Sequence, residues 1–297
     1  MTSTSDTAVV IDSTADLPDF ADRFENLRMV PLHVRFGDGD ELRDHIDLDA
    51  DSFYARLALA RELPRTSAPA PQAFTDCYQQ LLDGPYEHIV SVHLSGKLSA
   101  TVESARLAAG PLGEQVTVID SGSASAGTAL CALGIEQLLE SGAADVAALA
   151  RYGAHFAAQV RTTFSVETLD YLQRGGRIGR AQALVGGLLG VRPVLGIVDG
   201  EVVPLARVRG ASRVLAAMLA QLEQSTGPDD ELRVAIAHAQ APEQAAELGQ
   251  MITEVRPHAT IELVVPLGPV IGTYGGPGTL GLVWIAGSAA SAPAVTV

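Results

Sequence analysis

The chain has 297 residues, of which 47% are hydrophobic and only 5% aromatic, and its formal net charge at pH 7 is −15. This length is sufficient for two domains. Because aromatic residues are few, the interior must be built mainly from Ala, Val, Leu and Ile. Lys97 is the only lysine, so the broad basic face typical of nucleic-acid binding is missing and we expect no nucleic-acid partner.

The composition also bears on where the protein works. The longest apolar stretches are interrupted well before the roughly 20 residues that a membrane-spanning helix needs. The first residues have neither the basic segment nor the apolar segment of a signal peptide. Cys77 and Cys131 each stand alone within a helical pattern, which fits a reducing compartment better than a disulfide scaffold. We therefore predict a cytoplasmic protein.

Strand and helix patterns alternate through the first half of the chain. Strands are predicted at 8–14, 29–37, 88–95 and 115–123, and helices at 71–82, 99–110 and 127–142. This alternation predicts a parallel sheet that is covered by helices on both faces. Ligands of such sheets bind at the carboxyl ends of the strands, where three of these strands run into turns rich in serine and threonine.

The pattern changes near Arg161. Asp199-Gly200 lies between two β-rich segments, as expected of a hairpin turn, and further strands are predicted at 231–239 and 260–274 around a helix at 242–254. We therefore predict an α/β chain with a parallel-sheet N-terminal domain at 1–160, a mixed α+β C-terminal domain at 161–287 and a flexible tail at 288–297.

Several familiar catalytic and metal-binding motifs are not matched. The Gly96-Lys97 pair lacks the earlier glycine of a P-loop, and Leu98 stands where a Ser or Thr would bind magnesium. The segment "DSTAD" resembles a phosphatase motif, but Thr14 replaces its second aspartate. The sequence has no Gly-x-Ser-x-Gly elbow, and its histidines and cysteines lack zinc-binding spacing. We expect no metal and no cofactor.

The remaining candidates are hydroxyl groups with no base nearby in sequence. Ser95 ends a predicted strand, Ser99 and Thr101 begin the next helix, and Thr66 and Ser67 lie in an extended segment. The free N–H groups at a helix N-terminus favour an anion. Hydroxyls without a base suit the binding of a carboxylate better than attack on a carbonyl. Each of them could instead serve only as a helix cap or turn former.

Seven segments in this order resemble the motifs of the DegV family, which comprises the FakB-like bacterial fatty-acid-binding proteins. They read "VVIDSTADLP", "RTSAPAP", "HLSGKLSATVESA", "VIDSGSASAG", "YLQRGGRIG", "ARVRG" and "VIGTYGGPGTLG". The resemblance implies a two-domain DegV-like fold with a long-chain fatty acid buried between the domains. It also implies that the protein catalyses nothing itself. It would present the acyl carboxylate to a separate ATP-binding fatty acid kinase, which makes acyl phosphate for phospholipid synthesis. This role leaves room for transient membrane contact.

The resemblance also implies roles for individual residues. The family's carboxylate-binding threonine corresponds to Thr66, with Ser67 beside it, and its carboxylate-binding serine corresponds to Ser95. The family often has a second serine where this chain has Gly96. Its usual histidine in the last motif is replaced here by Tyr274, which we assign to the same carboxylate site.

Two arginine-containing segments in this acidic chain are also matched by the family. Arg177 and Arg209 correspond to family arginines that lie near the ligand mouth and are linked to kinase docking. Without the resemblance, both would be interpreted as ordinary surface arginines.

Two alternatives remain open from the residues alone. The Ser95 turn could belong to a hydrolase or transferase of acyl or phosphate esters, if His33, His93 or Asp12 approached it in space. The chain could also be an interaction subunit that binds no ligand.

Overall fold

The computed structural model describes residues 6–17, 23–142, 145–185, 191–210 and 212–287. The strands in these ranges are β1 (Thr7–Asp12), β2 (Leu27–Val30), β3 (His33–Arg35), β4 (Leu42–Arg43), β5 (Arg65–Ser67), β6 (His88–His93), β7 (Val116–Asp120), β8 (Arg161–Ser165), β9 (Val191–Val198), β10 (Glu201–Arg209), β11 (Leu232–His238), β12 (Ala259–Pro266) and β13 (Leu280–Ala286). The α-helices are α1 (Ala50–Leu59), α2 (Pro71–Leu82), α3 (Thr101–Ala109), α4 (Ala126–Glu140), α5 (Val146–Gln159), α6 (Asp170–Arg174), α7 (Ser212–Ser225), α8 (Pro242–Val255) and α9 (Pro269–Gly275). Short 3-10 helices are formed by Ser13–Ala15, Gly110–Gln115 and Gly179–Leu184.

The first half of the chain is built on a parallel sheet with the strand order β2-β1-β6-β7. Successive side chains of a strand point to opposite faces of the sheet. Val9 and Ile11 of β1 pack with residues of α4 and α5, whereas Ala8 and Val10 pack with residues of α2 and α3. The prediction of a parallel sheet covered on both faces is therefore confirmed.

The second half is built on a mixed sheet with the order β10-β9-β8-β13-β11-β12. The pair β11–β12 is parallel, and the other neighbours are antiparallel. Leu282 and Trp284 of β13 pack with residues of α7 and α8, whereas Val283 and Ile285 belong to a hydrophobic cluster shared with the first half. The alternating side chains of one strand thus contribute to two separate cores.

The predicted hairpin turn at Asp199-Gly200 is confirmed. Both residues have positive φ, 52° and 78°, as a two-residue turn with the right-handed twist of its flanking strands requires. The turn joins β9 to β10, which pair in antiparallel register.

Two predicted strand segments were wrong in extent. The predicted strand 29–37 is divided at Pro31 into β2, in the parallel sheet, and β3, in a small antiparallel sheet with the order β4-β3-β5. Proline has no N–H to continue a ladder of hydrogen bonds. The predicted strand 260–274 ends at Pro266, and Pro269 occupies the first turn of α9, a position that suits its fixed φ.

The boundary between α5 and β8 lies next to the predicted domain boundary at residue 160. The shared hydrophobic cluster includes side chains from both sides of this point. The division into 1–160 and 161–287 stays a prediction, and the predicted flexible tail at 288–297 lies outside the described residues.

A buried polar cluster joins the first half to the turn before α9. The Asp16 carboxylate accepts hydrogen bonds from the Gly268 N–H (2.9 Å) and the Ser125 hydroxyl (2.6 Å), and it lies 3.0 Å from His45 Nε2. Asp44 is fully buried next to His45 and accepts a bond from the Val270 N–H. These contacts fix the start of α9 against residues that are more than 200 positions earlier in the chain.

The ionisation of this cluster couples stability to pH. Burial alone would lower the pKa of His45, but the hydrogen bond to Asp16 and the charges of Asp16 and Asp44 outweigh it and raise the pKa from 6.5 to about 9. Burial raises the pKa of Asp44 from 3.8 to about 7, against the lowering effect of His45. A group whose pKa is raised by folding stabilises the native state below its unfolded pKa, and this contribution is lost as the pH rises through the folded pKa.

We predict that the free energy of unfolding falls by about 1–3 kcal/mol as the pH rises from 6.5 to about 9, because protonated His45 loses its contribution. In His45→Gln this pH dependence should be reduced to the part that comes from ionisation of Asp44, and stability at the acidic end should be lower. Denaturant unfolding across this pH range measures both effects. His258→Gln, at an exposed histidine, is the matched control. An unchanged pH slope in His45→Gln would contradict the prediction.

Candidate functional site

A cavity of about 280 Å³ lies between the two halves of the chain. The first half contributes Leu32, Thr66, Ala68, Leu94, Leu98, Ser99, Ala100, Ala124, Ser125 and Ala126. The second half contributes Thr162, Phe164, Leu172, Arg177, Ile197, Val202, Ala237, Leu267, Val270, Ile271, Tyr274, Gly275, Thr279, Gly281 and Val283. Most of these side chains are aliphatic, so the cavity suits an apolar ligand with a small polar part.

Thr66 and Tyr274 meet at the wall of this cavity. Thr66 lies on β5 and Tyr274 on α9, and their hydroxyl groups form a hydrogen bond of 2.5 Å. Two hydroxyls that bond to each other use one of their two protons for that bond. The other proton remains available for an acceptor in the cavity.

Arg177 covers the ring of Tyr274. The central guanidinium carbon lies 5.0 Å from the ring centroid, within the range of a cation–π contact. Arg177 Nε donates to the Leu98 carbonyl oxygen (3.1 Å) and Nη1 donates to the Gly175 carbonyl oxygen (2.9 Å). The residue is exposed, yet it also lines the cavity, so it marks the place where the cavity approaches the surface.

Gly175 allows this close arrangement. A Cβ atom on Gly175 would lie 2.4 Å from Cδ1 of Tyr274, a separation that would force the ring to move. The first glycine of the pair in "YLQRGGRIG" therefore has a packing role, which is to admit the tyrosine ring beside Arg177.

The other hydroxyl groups of the cavity wall are already bonded within the protein. Ser125 donates to Asp16 (2.6 Å), Thr162 bonds to Ser123 (2.9 Å) and Thr279 donates to the Gly276 carbonyl oxygen (2.9 Å). The Thr66–Tyr274 pair differs from these groups because the guanidinium of Arg177 lies beside it, so the pair and Arg177 are the groups best placed for an anionic ligand.

Ser95 and Ser99 have different environments. Ser95 is buried and does not line the cavity. Its hydroxyl donates to the Gly200 carbonyl oxygen (2.9 Å) and accepts from the Lys97 N–H (3.1 Å). Ser99 does line the cavity, and its hydroxyl bonds to that of Thr101 (2.9 Å) at the start of α3. Carboxylate binding by Ser95 stays a prediction, and it would require the hydroxyl to leave the Gly200 carbonyl.

Two further predicted residues lie away from the cavity wall. Ser67 follows Thr66 on β5 and does not line the cavity, because successive side chains of a strand point in opposite directions. Arg209 is exposed at the end of β10. The structure therefore brings Thr66, Tyr274 and Arg177 together, but it does not place Ser67 or Arg209 with them.

Ser99 and Ser125 line the cavity although neither was among the assigned site residues. Ser99 was already a candidate hydroxyl in the sequence, since it begins a helix after a predicted strand, but it was not assigned to the carboxylate site. Ser125 carries no such signal, because its orientation depends on a backbone conformation with φ of 52° that is fixed by the bond to Asp16.

The histidine that is best placed to act as a base contacts Ser91 and not Ser95. His93 Nε2 lies 2.7 Å from the Ser91 hydroxyl, and His93 Nδ1 lies 3.0 Å from Oδ2 of Asp12. This order of groups resembles a serine–histidine–aspartate triad. All three residues are completely buried and none lines the cavity, so the arrangement presents no nucleophile to a molecule bound there.

Within the described ranges, no three histidine, cysteine, aspartate or glutamate side chains are grouped so that they could hold a metal ion. None of the helices in these ranges has both the length and the apolar character needed to cross a bilayer.

Comparison with known protein families gives a match over nearly the whole chain. A family model described as "Uncharacterised protein, DegV family" matches residues 6–287. A protein from Thermotoga maritima, named as a fatty acid-binding protein, is 32% identical over 278 residues, which cover 92% of this chain and 95% of the relative.

Solved structures agree in fold with this chain. A DegV family protein from Thermus thermophilus, described by its fatty acid binding, is 34% identical and superposes with a TM-score of 0.87, covering 94% of this chain and 99% of that structure. The crystal structure of DegV from Bacillus subtilis, described as a fatty acid binding protein, is 31% identical with a TM-score of 0.84, covering 95% and 99%. The predicted α/β fold is confirmed by these similarities.

Proposed function

This chain belongs to the DegV family, and on that premise we propose that it binds one long-chain fatty acid in the cavity between its two halves. The observation that carries the proposal is the distribution of polar groups around that cavity. The wall is largely aliphatic, and the polar groups best placed for a ligand meet where Arg177 reaches the surface. A fatty acid has the same division between a long apolar chain and one charged end.

The carboxylate would bind to the Thr66–Tyr274 hydroxyl pair and to Arg177. Arg177 uses two of its N–H groups for backbone carbonyls, and its remaining N–H groups can bond to a carboxylate. A carboxylate taken from water needs such partners, because burying a charge without them is strongly unfavourable.

The acyl chain would occupy the aliphatic part of the cavity. Removal of apolar surface from water stabilises the bound state by about 0.8 kcal/mol for each buried methylene group. Side chains such as Leu267, Val270 and Val283 supply the apolar contacts. The affinity would therefore come mainly from burial of the acyl chain, and the carboxylate contacts would set the orientation of the fatty acid in the cavity.

We further propose that the bound carboxylate is presented to a separate ATP-dependent fatty acid kinase for acyl phosphate formation. This step rests on the family resemblance. The exposure of Arg177 at the cavity and the exposure of Arg209 support it, because a docking enzyme needs access to the head group. The protein itself would not be the catalyst, and it would act in the cytoplasm, where its free cysteines Cys77 and Cys131 stay reduced.

We predict that the purified protein carries about one fatty acid per chain, bound in the largely aliphatic cavity between its two halves. Solvent extraction followed by mass spectrometry identifies the ligand and its amount. Hydrolysis of ester substrates should be absent, since the buried Ser91–His93–Asp12 arrangement does not reach the cavity. Ester turnover that disappears in Ser95→Ala would instead support the hydrolase alternative. An empty extract, together with no binding of added fatty acid, would contradict the proposal.

We predict that Tyr274→Phe and Thr66→Val each weaken fatty-acid binding by about 10- to 100-fold, because a hydrogen bond to a charged group contributes about 1.5–3 kcal/mol. The double variant should lose less than the sum of the two single losses, since the two hydroxyls act as one bonded pair. Titration with a fluorescent fatty acid measures the three affinities.

Tyr86→Phe is the matched control for this cycle, because the Tyr86 hydroxyl bonds to a backbone carbonyl and the residue does not line the cavity. Its affinity should equal that of the native protein. Strictly additive losses would show that the two hydroxyls act independently. Native affinity in both single variants would show that the pair does not contact the ligand.

We predict that Arg177→Ala and Arg209→Ala both lower the rate of acyl phosphate formation with the cognate kinase at saturating fatty acid. Arg209→Ala should keep native fatty-acid affinity, because Arg209 does not line the cavity. Arg151→Ala removes a comparably exposed arginine on α5 and should leave the rate unchanged. Native kinase rates in the Arg177 and Arg209 variants would show that neither arginine contributes to the kinase reaction.

A further inference from the structure

One wall of the cavity contains a gap in its side chains. Ala237 on β11 and Gly281 on β13 are directly opposite each other in the antiparallel register, and both line the cavity. Phe164 on β8 is the partner of Gly281 on its other side, and Val283 lies two residues further along β13. Two small residues are therefore bordered by two large ones, which leaves a hollow in the sheet surface.

The backbone does not require glycine at position 281. A Cβ atom there would have its nearest neighbours, the Cβ and carbonyl oxygen of Ala237, at 3.8 Å, which is ordinary van der Waals contact. Gly281 is also not among the residues with positive φ. By contrast, a Cβ on Gly196 of the same sheet would lie 2.8 Å from Leu205 Cδ1 and 3.0 Å from the Thr162 carbonyl oxygen.

The hollow is open towards the cavity. Gly281 is partly exposed although β13 lies in the sheet interior, between β8 and β11. Its neighbours Leu280 and Leu282 are 2% and 0% exposed because they pack on the opposite face, against residues of α7 and α8. A glycine in the interior of a strand weakens that strand. A Cβ atom at this position fits the backbone, and the side chain that carries it would take up space in the cavity.

We propose that the Ala237–Gly281 hollow determines how much acyl chain the cavity accepts, and so selects the chain length of the bound fatty acid. This inference rests on the proposed fatty-acid binding. A side chain added at position 281 takes space that methylene groups would otherwise occupy. Each methylene that is excluded from the cavity lowers affinity by about fourfold, so longer acids lose more than shorter ones.

The test is a series of substitutions that fill or enlarge the hollow. Delipidated native protein, Gly281→Ala, Gly281→Val and Ala237→Val are each given an equimolar mixture of lauric, myristic, palmitic and stearic acids. Mass spectrometry of the extracted ligand gives the stearate-to-laurate ratio. We expect this ratio to fall through the Gly281 series, by about 16-fold if two methylenes are excluded. Val283→Ala enlarges the same space and should raise the ratio.

Leu282→Val is the control, because it changes the volume of a side chain on the same strand but on the opposite face. Its ratio should match that of the native protein. Equal ratios in native protein and in folded Gly281→Val or Ala237→Val would overturn the inference. If these larger substitutions prevent folding, Gly281→Ala and Val283→Ala decide the question, since shifts in opposite directions are expected and equal ratios overturn it. Native protein that binds none of the four acids would overturn the proposed function instead.

Discussion

The two sheets of this protein pack against the same helices, α4 and α5, while an apolar cavity stays open between the two halves of the chain. The packing is provided by a hydrophobic cluster that includes side chains from both halves, such as Ile11 and Val283. The opening is left by small residues, among them Ala126, Ala237 and Gly281. A composition rich in aliphatic residues and poor in aromatic ones serves both needs, because small and medium side chains can close a core without filling the space beside it.

The proposed fatty acid would need a cavity that is dry along the acyl chain and polar at the carboxylate. The structure meets this demand by bonding wall hydroxyls internally, so that Ser125 and Thr279 donate their protons to acceptors within the protein. The Thr66–Tyr274 pair and Arg177 are the exception. The Tyr274 hydroxyl supplies a group there that can donate or accept a hydrogen bond.

Polar clusters elsewhere in the molecule hold the structure together. Asp16 links the 3-10 helix after β1 to Gly268 and Ser125, and thereby positions α9 with Tyr274. The arrangement of Asp12 with His93 has the connectivity of a catalytic triad but is completely buried. Access therefore distinguishes the two kinds of site: Asp12 and His93 are buried away from the cavity, whereas the described residues that line it include hydroxyl groups and the guanidinium of Arg177.

The sequence by itself determined the parallel sheet, the Asp199-Gly200 hairpin and the family, because strand and helix periodicity, turn chemistry and ordered motifs are local properties of the chain. It also identified Thr66, Arg177 and Tyr274 as candidate site residues. Only the tertiary structure decided which hydroxyls reach the cavity. Ser99 lines the cavity, whereas the Ser95 hydroxyl bonds to the Gly200 carbonyl. A contact between residues more than 100 positions apart cannot be derived from local sequence patterns. The space beside Gly281 also cannot be derived from the sequence, because it depends on how the side chains of three neighbouring strands pack beside one another.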